Sequence, residues 1–183
     1  MSGAPFLLAL VLFLALITIE RVGELFLSRH NARILRAIGA EEFGRSHLPW
    51  FVALHIAYPL ALVAEVVWLG ARPGSQWGLW LGVFVAAQVL RVVVIRTLGV
   101  FWNVRVLVVP GIRPIRRGPY RWLRHPNYLA VALELLSGAL LFGAWRTGIV
   151  ATVIHLVLVR LRVPVEERAL RDAVYSEKWS PTP

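Results

Sequence analysis

The sequence predicts an all-α integral membrane protein with about five transmembrane helices, the last two forming a C-terminal helical hairpin. Two observations support this fold class. Hydrophobic residues make up 58% of the 183 residues, and the mean hydropathy is +0.67, whereas roughly 45 to 50% apolar residues is usual for soluble domains. In addition, several apolar tracts approach the ~20 residues that a helix needs to cross a hydrocarbon core ~30 Å thick.

Four apolar tracts define the predicted spans, at Pro5 to about Ile19, Pro49 to Leu69, Trp77 to about Val94, and Tyr128 to Leu161. The last tract is too long for one span, and its middle reads FGAWRTG (142–148), with a charge between two glycines. We therefore divide it into two helices joined by a tight turn, which gives five spans. The first tract lacks the basic start of a signal peptide and is expected to be retained.

Basic residues are distributed unevenly among the loops. The formal net charge is +10, and nineteen of the twenty basic residues are arginine, which indicates a GC-rich, bacterial coding sequence. Only Arg72 and Arg146 follow the second and fourth spans; all others lie in or beside the first loop, the third loop and the tail. The positive-inside rule then predicts a bacterial inner-membrane protein with its N-terminus outside and the third loop and tail in the cytoplasm. This pattern argues against nucleic acid as a partner and favours anionic lipid headgroups.

The chain divides at about residue 100. Residues 1–100 hold the first three spans and an interfacial loop, in which apolar residues at helical spacing around Ile34–Ile38 predict a short helix on the membrane surface. Residues 101–183 hold the basic third loop, the hairpin of the fourth and fifth helices, and a short tail. Within the third loop, Val104–Val109 predicts a short β-strand followed by a Pro-Gly turn.

Arginine, histidine, proline and tyrosine are concentrated in GPYRWLRHPNY, residues 118–128. Adhesion to anionic headgroups, at about 1 kcal/mol per basic residue, accounts for the arginines but not for the other three residue types. Pro126 is favoured in the first turn of a helix, so the fourth helix is expected to begin there, with His125 at its cap and Tyr128 in the first turn. Unpaired backbone N–H groups at that end favour an anionic ligand group.

The fifth helix ends in HLVLVRLRVPVEERAL, residues 155–170. His155, Arg162 and Glu166 are spaced to share one helical stripe. Pro164 is predicted to interrupt the helix and to free the carbonyl group of Arg160. Because the two helices are antiparallel, the start of the fourth lies beside the end of the fifth, which predicts one cytoplasmic-side pocket formed by Tyr120, Arg124, His125, Tyr128, Arg162, Glu166 and Glu167.

RGPYRWLRHPNYLA (117–130), followed by EERAL (166–170), resembles the isoprenylcysteine carboxyl methyltransferase family of integral membrane enzymes. The resemblance covers roughly residues 90 to 170, including FWNVRVLVVPG and AWRTG. It is closer to a bacterial branch found beside type III polyketide synthases, whose members O-methylate long-chain alkylpyrones and alkylresorcinols. The RHPNY element alone is not specific, because a similar element occurs in NADPH-dependent sterol reductases. The paired glutamates at this spacing narrow the resemblance to the methyltransferase family.

The resemblance implies an S-adenosylmethionine-dependent O-methyltransferase whose cofactor lies in a pocket of the last two helices and the tail. The lipid acceptor would enter sideways from the bilayer. Matching the motifs residue by residue implies cofactor contacts from Tyr120, His125, Pro126, Tyr128 and Glu166. Glu167, with Arg124 or Arg162, is then left to orient the acceptor oxygen. No metal is expected.

Polar residues inside the spans are further candidates, because such groups face a bundle interior or water. Arg91 either snorkels to the interface or lines a cavity. Glu134 lies seven residues after Asn127, on the same helical face. We assign Arg91, Glu134 and His155 to a substrate tunnel, and His155 or Glu167 is also a candidate base for a phenolic acceptor.

The acceptor and two alternatives stay open. The tail, RDAVYSEKWSPTP, lacks the aromatic and basic residues of the eukaryotic enzymes, which argues against a prenylcysteine carboxylate. One alternative is an NADPH-dependent membrane reductase of sterol or steroid type. The other is a non-catalytic scaffold that binds anionic lipid through the basic loop.

Overall fold

The computed structural model describes residues 3–174. Within this part of the chain the long helices are α1 (Ala4–Ala37), α2 (Leu48–Val67), α3 (Trp77–Leu98), α4 (Pro126–Leu140) and α5 (Trp145–Val174). Short 3-10 segments occupy Arg45–His47, Gly99–Phe101 and Gly118–Arg121, and two short strands, β1 (Glu41–Phe43) and β2 (Val106–Val108), form an antiparallel pair. The expected contribution of the tail beyond residue 174 to the pocket lies outside the described residues.

The all-α membrane class is confirmed. Four helical segments of the described chain are long and apolar enough to cross a membrane, at Ala4–Ala37, Arg45–Val67, Trp77–Phe101 and Trp145–Ala173. The fifth predicted span, α4, is a helix of 15 residues that extends about 22 Å at 1.5 Å per residue, so it is shorter than these four segments. Small residues such as Ala130, Ser137 and Gly138 are buried along α4 and allow close approach of its neighbours.

The first loop corrects a second prediction. No separate surface helix forms around Ile34–Ile38, because α1 continues as one helix of 34 residues to Ala37. The last turns of α1 are fixed by the loop that follows α3: the side-chain amide of Asn31 donates to the carbonyl oxygens of Gly99 (3.2 Å) and Trp102 (2.7 Å). The third loop is therefore anchored to α1.

The predicted strand at 104–109 is confirmed as β2, and its pairing with β1 brings charged groups together. The carboxylate of Glu42 accepts hydrogen bonds from Arg36 (2.8 Å) and Arg105 (2.6 Å) and pairs with Arg45 at 3.3 Å. Burial would raise the pKa of Glu42, but the hydrogen bonds from Arg105 and Arg36 and the charge of Arg45 outweigh it and lower that pKa below its ordinary 4.5. The carboxylate thus stabilises the strand pair in its ionised form.

Glu42→Gln is expected to lower the free energy of unfolding by about 1 kcal/mol at neutral pH, a modest value because the arginines are partly exposed. A carboxyl group with a lowered folded pKa contributes stability above its unfolded pKa and loses it as the pH falls through the folded value. The difference between wild type and variant should therefore disappear as the pH drops below 4.5. Thermal unfolding in detergent across that range measures it, and a pH-independent difference would contradict the assignment.

The turn between α4 and α5 confirms the division of the long apolar tract. Gly143 has a φ of +74°, and a Cβ atom there would lie 1.9 Å from the carbonyl oxygen of Arg72. The carboxylate of Glu65 holds the start of α5, because it accepts hydrogen bonds from the backbone N–H and the hydroxyl of Thr147, each at 2.7 Å. This end of the hairpin is fixed against α2 and the loop after it.

Gly143→Ala is expected to destabilise the protein by more than about 1 kcal/mol, since alanine is strained at positive φ and its Cβ meets a backbone oxygen. Gly23→Ala is the matched control. Gly23 lies inside α1, where a Cβ atom would meet nothing within 4 Å, so alanine should be neutral or stabilising there by about 0.5 to 1 kcal/mol. Thermal unfolding of both variants in the same detergent makes the comparison, and equal effects would refute the steric argument.

Pro164 does not interrupt the fifth helix as predicted, because α5 runs continuously through it to Val174. The missing N–H group and the ring clash cost about 3 kcal/mol. Packing beyond the proline offsets this cost: Ala169 and Ala173 are buried against Val106 and Val108 of β2. The helix therefore carries the paired glutamates past the proline in register.

Candidate active site

The open end of the α4–α5 hairpin, here called the hairpin end, is formed by His125, Tyr128, Glu166 and Glu167. His125 is the N-cap of α4 and Pro126 is its first residue, as predicted. Pro126 is fully buried, so it supports the start of the helix rather than facing a ligand. Since proline has no N–H group and fixes φ, it defines where α4 begins.

Two hydrogen bonds join the hairpin end across the two helices. The hydroxyl of Tyr128 donates to Oε2 of Glu166 at 2.6 Å. Nε2 of His125 lies 3.3 Å from Oε1 of Glu167. The His125 and Tyr128 rings stack, with centroids 5.6 Å apart and planes at 27°. The paired glutamates of α5 therefore face the His-Pro-Asn-Tyr element of α4, as the sequence predicts.

Tyr120 reaches the same region from the 3-10 segment Gly118–Arg121. Burial, and then the negative charge of Glu166, raise the pKa of Tyr120 above its ordinary 10.0. Its phenol therefore stays protonated at neutral pH and is a hydrogen-bond donor. Together with the carboxylates it gives this end of the site both donors and acceptors.

The two arginine candidates occupy different environments. Arg162 is 6% exposed, its Nη2 donates to the carbonyl oxygen of Val104 at 2.6 Å, and its guanidinium lies 5.2 Å from the ring centroid of Phe51. The side chain of Arg124 is 86% exposed and lies 3.5 Å from Glu167. Arg162 is thus a fixed buried charge, whereas Arg124 lies at the rim.

His155 is buried behind Tyr128. Its Nε2 lies 3.0 Å from the backbone carbonyl oxygen of Tyr128, which only accepts hydrogen bonds, so Nε2 carries the proton. The ring also meets Phe51 edge-on at 6.0 Å. His155 therefore fixes the first turn of α4 against α5.

One cavity of about 1140 Å³ joins these residues. Its wall includes every site residue singled out in the sequence except Pro126: Arg91, Tyr120, Arg124, His125, Tyr128, Glu134, His155, Arg162, Glu166 and Glu167. Helices α1 and α2 and the third loop complete the wall, largely with apolar side chains. This volume is slightly above the roughly 300 to 1,000 Å³ usual for small-molecule sites.

A buried charge cluster, made of Arg21, Glu24, Arg91 and Glu134, lines another part of this cavity. Arg91 donates to Glu134 at 2.9 Å and makes two bonds to Glu24, the Nη2 bond at 2.6 Å. Arg21 donates hydrogen bonds to Glu24 at 2.9 Å and to Glu134 at 2.8 Å. Arg91 therefore does not snorkel, because its charge is neutralised within the bundle.

Sequence reasoning missed three contributors to the cavity wall. Arg21 and Glu24 are three residues apart on one face of α1, the single sequence signal that could have paired them. Phe51, which contacts both Arg162 and His155, gave no signal beyond an aromatic residue in an apolar helix. These roles depend on contacts between helices distant in sequence.

The chemistry of the hairpin end suits a ligand that carries both signs of charge. The carboxylates and the tyrosine faces favour a cationic centre. At the start of α4, Pro126 has no N–H group and the N–H group of Tyr128 donates to the carbonyl oxygen of His125 at 3.2 Å, so the backbone N–H group of Asn127 is the one that favours an anionic group. Among the described residues, no cluster of three or more histidine, aspartate or glutamate side chains is arranged to hold a metal ion.

The region of the chain that matches a known protein family contains the hairpin end. The isoprenylcysteine carboxyl methyltransferase (ICMT) family matches residues 80–172. A protein of Bacillus subtilis (strain 168), "Uncharacterized protein YpbQ", is 36% identical over 167 residues, which cover 91% of this chain and 98% of the relative. A Haemophilus influenzae "Uncharacterized protein" is 29% identical over 153 residues, 82% of this chain and 88% of the relative. No solved structure matches the chain significantly.

Proposed function

Because the chain belongs to the isoprenylcysteine carboxyl methyltransferase family, we propose that it is a membrane O-methyltransferase that transfers a methyl group from S-adenosylmethionine to an oxygen of a lipophilic acceptor. One observation carries the proposal. The paired carboxylates of α5 meet His125 and Tyr128 of α4 at one end of a large apolar cavity. A cationic cofactor and a lipid tail can therefore share one chamber.

The residues of the hairpin end fit the cofactor. When bound, S-adenosylmethionine supplies an electrophilic methyl group on a sulfonium centre. Glu166 would hold its ribose hydroxyls or its amino acid moiety, while the backbone N–H group of Asn127 at the start of α4 suits its carboxylate. Tyr120, His125 and Tyr128 would contact it through ring faces and polar atoms, and Pro126 sets the position of this helix start.

Arg162 and Glu167 are left to act on the acceptor. The buried guanidinium of Arg162 would orient and stabilise an anionic acceptor oxygen, an interaction that is stronger in a cavity than in water. An enol or carboxylic acid that is already ionised needs only positioning and desolvation, which contribute up to roughly 7 to 11 kcal/mol in favourable cases. A phenol would need a base, and Glu167, near His125, is placed to accept that proton; Arg124 at the rim would steer entry.

The acceptor we favour is a polyketide-derived alkylpyrone or alkylresorcinol, with a prenylcysteine-like carboxylate as the second choice. The size and apolar lining of the cavity support a long-chain amphiphile. Several of its lining side chains, including Val22, Val52 and Ile56, are also exposed on the helix surfaces of α1 and α2. Entry sideways from the bilayer fits this arrangement, and a type III polyketide synthase would be the supplier.

Tritiated methyl transfer tests the proposal. Purified protein in lipid nanodiscs is incubated with methyl-labelled S-adenosylmethionine and either an alkylpyrone, an alkylresorcinol or a prenylcysteine analogue. We expect label in the organic phase for the first two. Binding of NADPH without binding of S-adenosylmethionine would support the reductase alternative instead. Full function after His125→Ala together with loss on neutralising Arg113, Arg116, Arg117 and Arg121 would support the scaffold.

We also propose how the protein is oriented in the membrane and which of its residues contact the lipid headgroups. We place the hairpin end in the cytoplasm of a bacterial inner membrane, where exposed Trp122 and the surrounding arginines would meet anionic headgroups. The chain contains no cysteine, so Ser75→Cys and Ile112→Cys give single labels. A membrane-impermeant thiol reagent added to intact spheroplasts should modify only the Ser75→Cys variant; the reverse labelling would overturn the orientation.

A further inference from the structure

We propose that the buried charge cluster is a second polar subsite that binds an uncharged hydroxyl group of the lipid acceptor, distinct from the oxygen that is methylated. The identity of the ligand as a methyl acceptor rests on the proposed function. The subsite itself rests on the geometry of Glu134 and Tyr58, which the methyl-transfer site does not use.

The subsite lies at a defined distance from the hairpin end. Tyr128 and Glu134 are six positions apart on α4, which is about 9 Å along the helix axis at 1.5 Å per residue. The wall between them includes the apolar side chains of Val131 and Leu135. A ligand lying along α4 would therefore meet a polar end, an apolar stretch and then the charge cluster.

The charge cluster selects against ionised groups. It contains two guanidiniums and two carboxylates, and Oε2 of Glu134 already accepts from both Arg21 and Arg91. Glu20, one turn away on α1, accepts from the amide of Gln88 at 2.6 Å. The arginines would repel an added cation, and the glutamates would repel an added anion. An uncharged hydrogen-bonding group avoids both repulsions.

Two buried atoms at the subsite have no hydrogen-bond partner within the described residues: Oε1 of Glu134 and the hydroxyl of Tyr58. The two side chains are 7% and 6% exposed, and both residues line the cavity. Leaving such groups unpaired costs about 1 to 3 kcal/mol each. A ligand hydroxyl would donate to the carboxylate oxygen and accept from the tyrosine, so one group would satisfy both atoms.

The position of the tyrosine hydroxyl depends on a glycine. A Cβ atom at Gly138 would lie 2.8 Å from the hydroxyl oxygen of Tyr58 and 2.9 Å from the ring of Phe13. Gly138 is one turn beyond Glu134 on α4, so the absence of its side chain lets the phenol reach the helix. Tyr58 is thereby held beside the same helix that carries Glu134.

The test compares two probes on the purified full-length protein in nanodiscs: a long-chain fatty acid, and the same acid with a mid-chain hydroxyl about 9 Å from its carboxylate. We expect the hydroxylated acid to bind about tenfold more tightly, measured by probe-dependent thermal stabilisation. Tyr58→Phe should abolish this preference without weakening binding of the plain acid. Thr152→Val should keep it, because the hydroxyl of Thr152 is also buried and unpaired among the described residues but lies off the cavity.

Equal binding of the two acids by the wild type, or an unchanged preference in Tyr58→Phe, would overturn the subsite and indicate that an internal water alone pairs these atoms. Methyl transfer is scored separately. A binding preference without transfer of label to any acceptor would reject the methyltransferase while leaving the subsite supported. Transfer of label to an acceptor, with no preference for the hydroxylated acid, would reject the subsite while leaving the methyltransferase supported.

Discussion

Glu166→Gln is expected to lower kcat/KM for methyl transfer by about 100-fold while the protein keeps its wild-type fold. The carboxylate accepts the hydrogen bond of Tyr128 at 2.6 Å, and its second oxygen lies 3.9 Å from His125. Hydrogen bonds to charged groups contribute about 1.5 to 3 kcal/mol each, and the cationic cofactor would lose a counter-charge as well. Glutamine keeps the shape of the side chain, removes its charge and replaces one acceptor oxygen with an NH2 donor.

The loss should appear mainly as a weaker affinity for S-adenosylmethionine, which isothermal titration calorimetry measures without turnover. Asp172→Asn is the matched control, because Asp172 is an exposed acidic residue of the same helix and is absent from the cavity wall. It should leave both affinity and rate within about twofold, as surface substitutions usually do. Unchanged cofactor affinity in Glu166→Gln would remove Glu166 from the cofactor site.

The local parts of this site were predictable because they follow short-range rules. Proline at a helix start, histidine at the cap and a glycine turn between two helices are decided within a few residues, and each is where the sequence predicts it. The antiparallel hairpin then brings the glutamates of α5 to the tyrosine of α4 by geometry alone. No knowledge of the remaining helices is needed for that step.

The parts that failed depend on contacts between distant segments. Pro164 reads as a helix break because its local cost is visible in the sequence, whereas the packing of Ala169 and Ala173 on β2 is not. Whether Arg124 or Arg162 is buried depends on where Phe51 and the carbonyl group of Val104 lie.

The charge cluster could not be predicted from the sequence either, because its formation depends on the free-energy cost of burying charges. A lone arginine in an apolar helix has two solutions, to reach the interface or to find a partner, and sequence spacing does not choose between them. Here α1 supplies Glu24 and α4 supplies Glu134, so the arginine is retained in the bundle. The cost of burying these charges is acceptable only as long as the cluster stays balanced.

Arg91→Met should therefore destabilise the protein by about 3 to 5 kcal/mol, because it removes a buried guanidinium and leaves only the partly buried Arg21 to pair with the carboxylates of Glu24 and Glu134. Unfolding of the purified protein in detergent measures the change. Arg36→Met is the matched control, since Arg36 also pairs with a glutamate at 2.8 Å but its side chain is 48% exposed. Its effect should be below about 1 kcal/mol.

The double variant Arg91→Met/Glu24→Met separates charge balance from packing. It leaves Arg21 paired with Glu134, the ion pair already present at 2.8 Å, so the remaining charges are equal and opposite. If balance is what matters, the double variant will be more stable than Arg91→Met alone, by an interaction energy of about 1 to 3 kcal/mol in the mutant cycle. Additive losses would instead mean that each side chain acts through its own packing, and that the cluster could change its charge without consequence for the cavity wall.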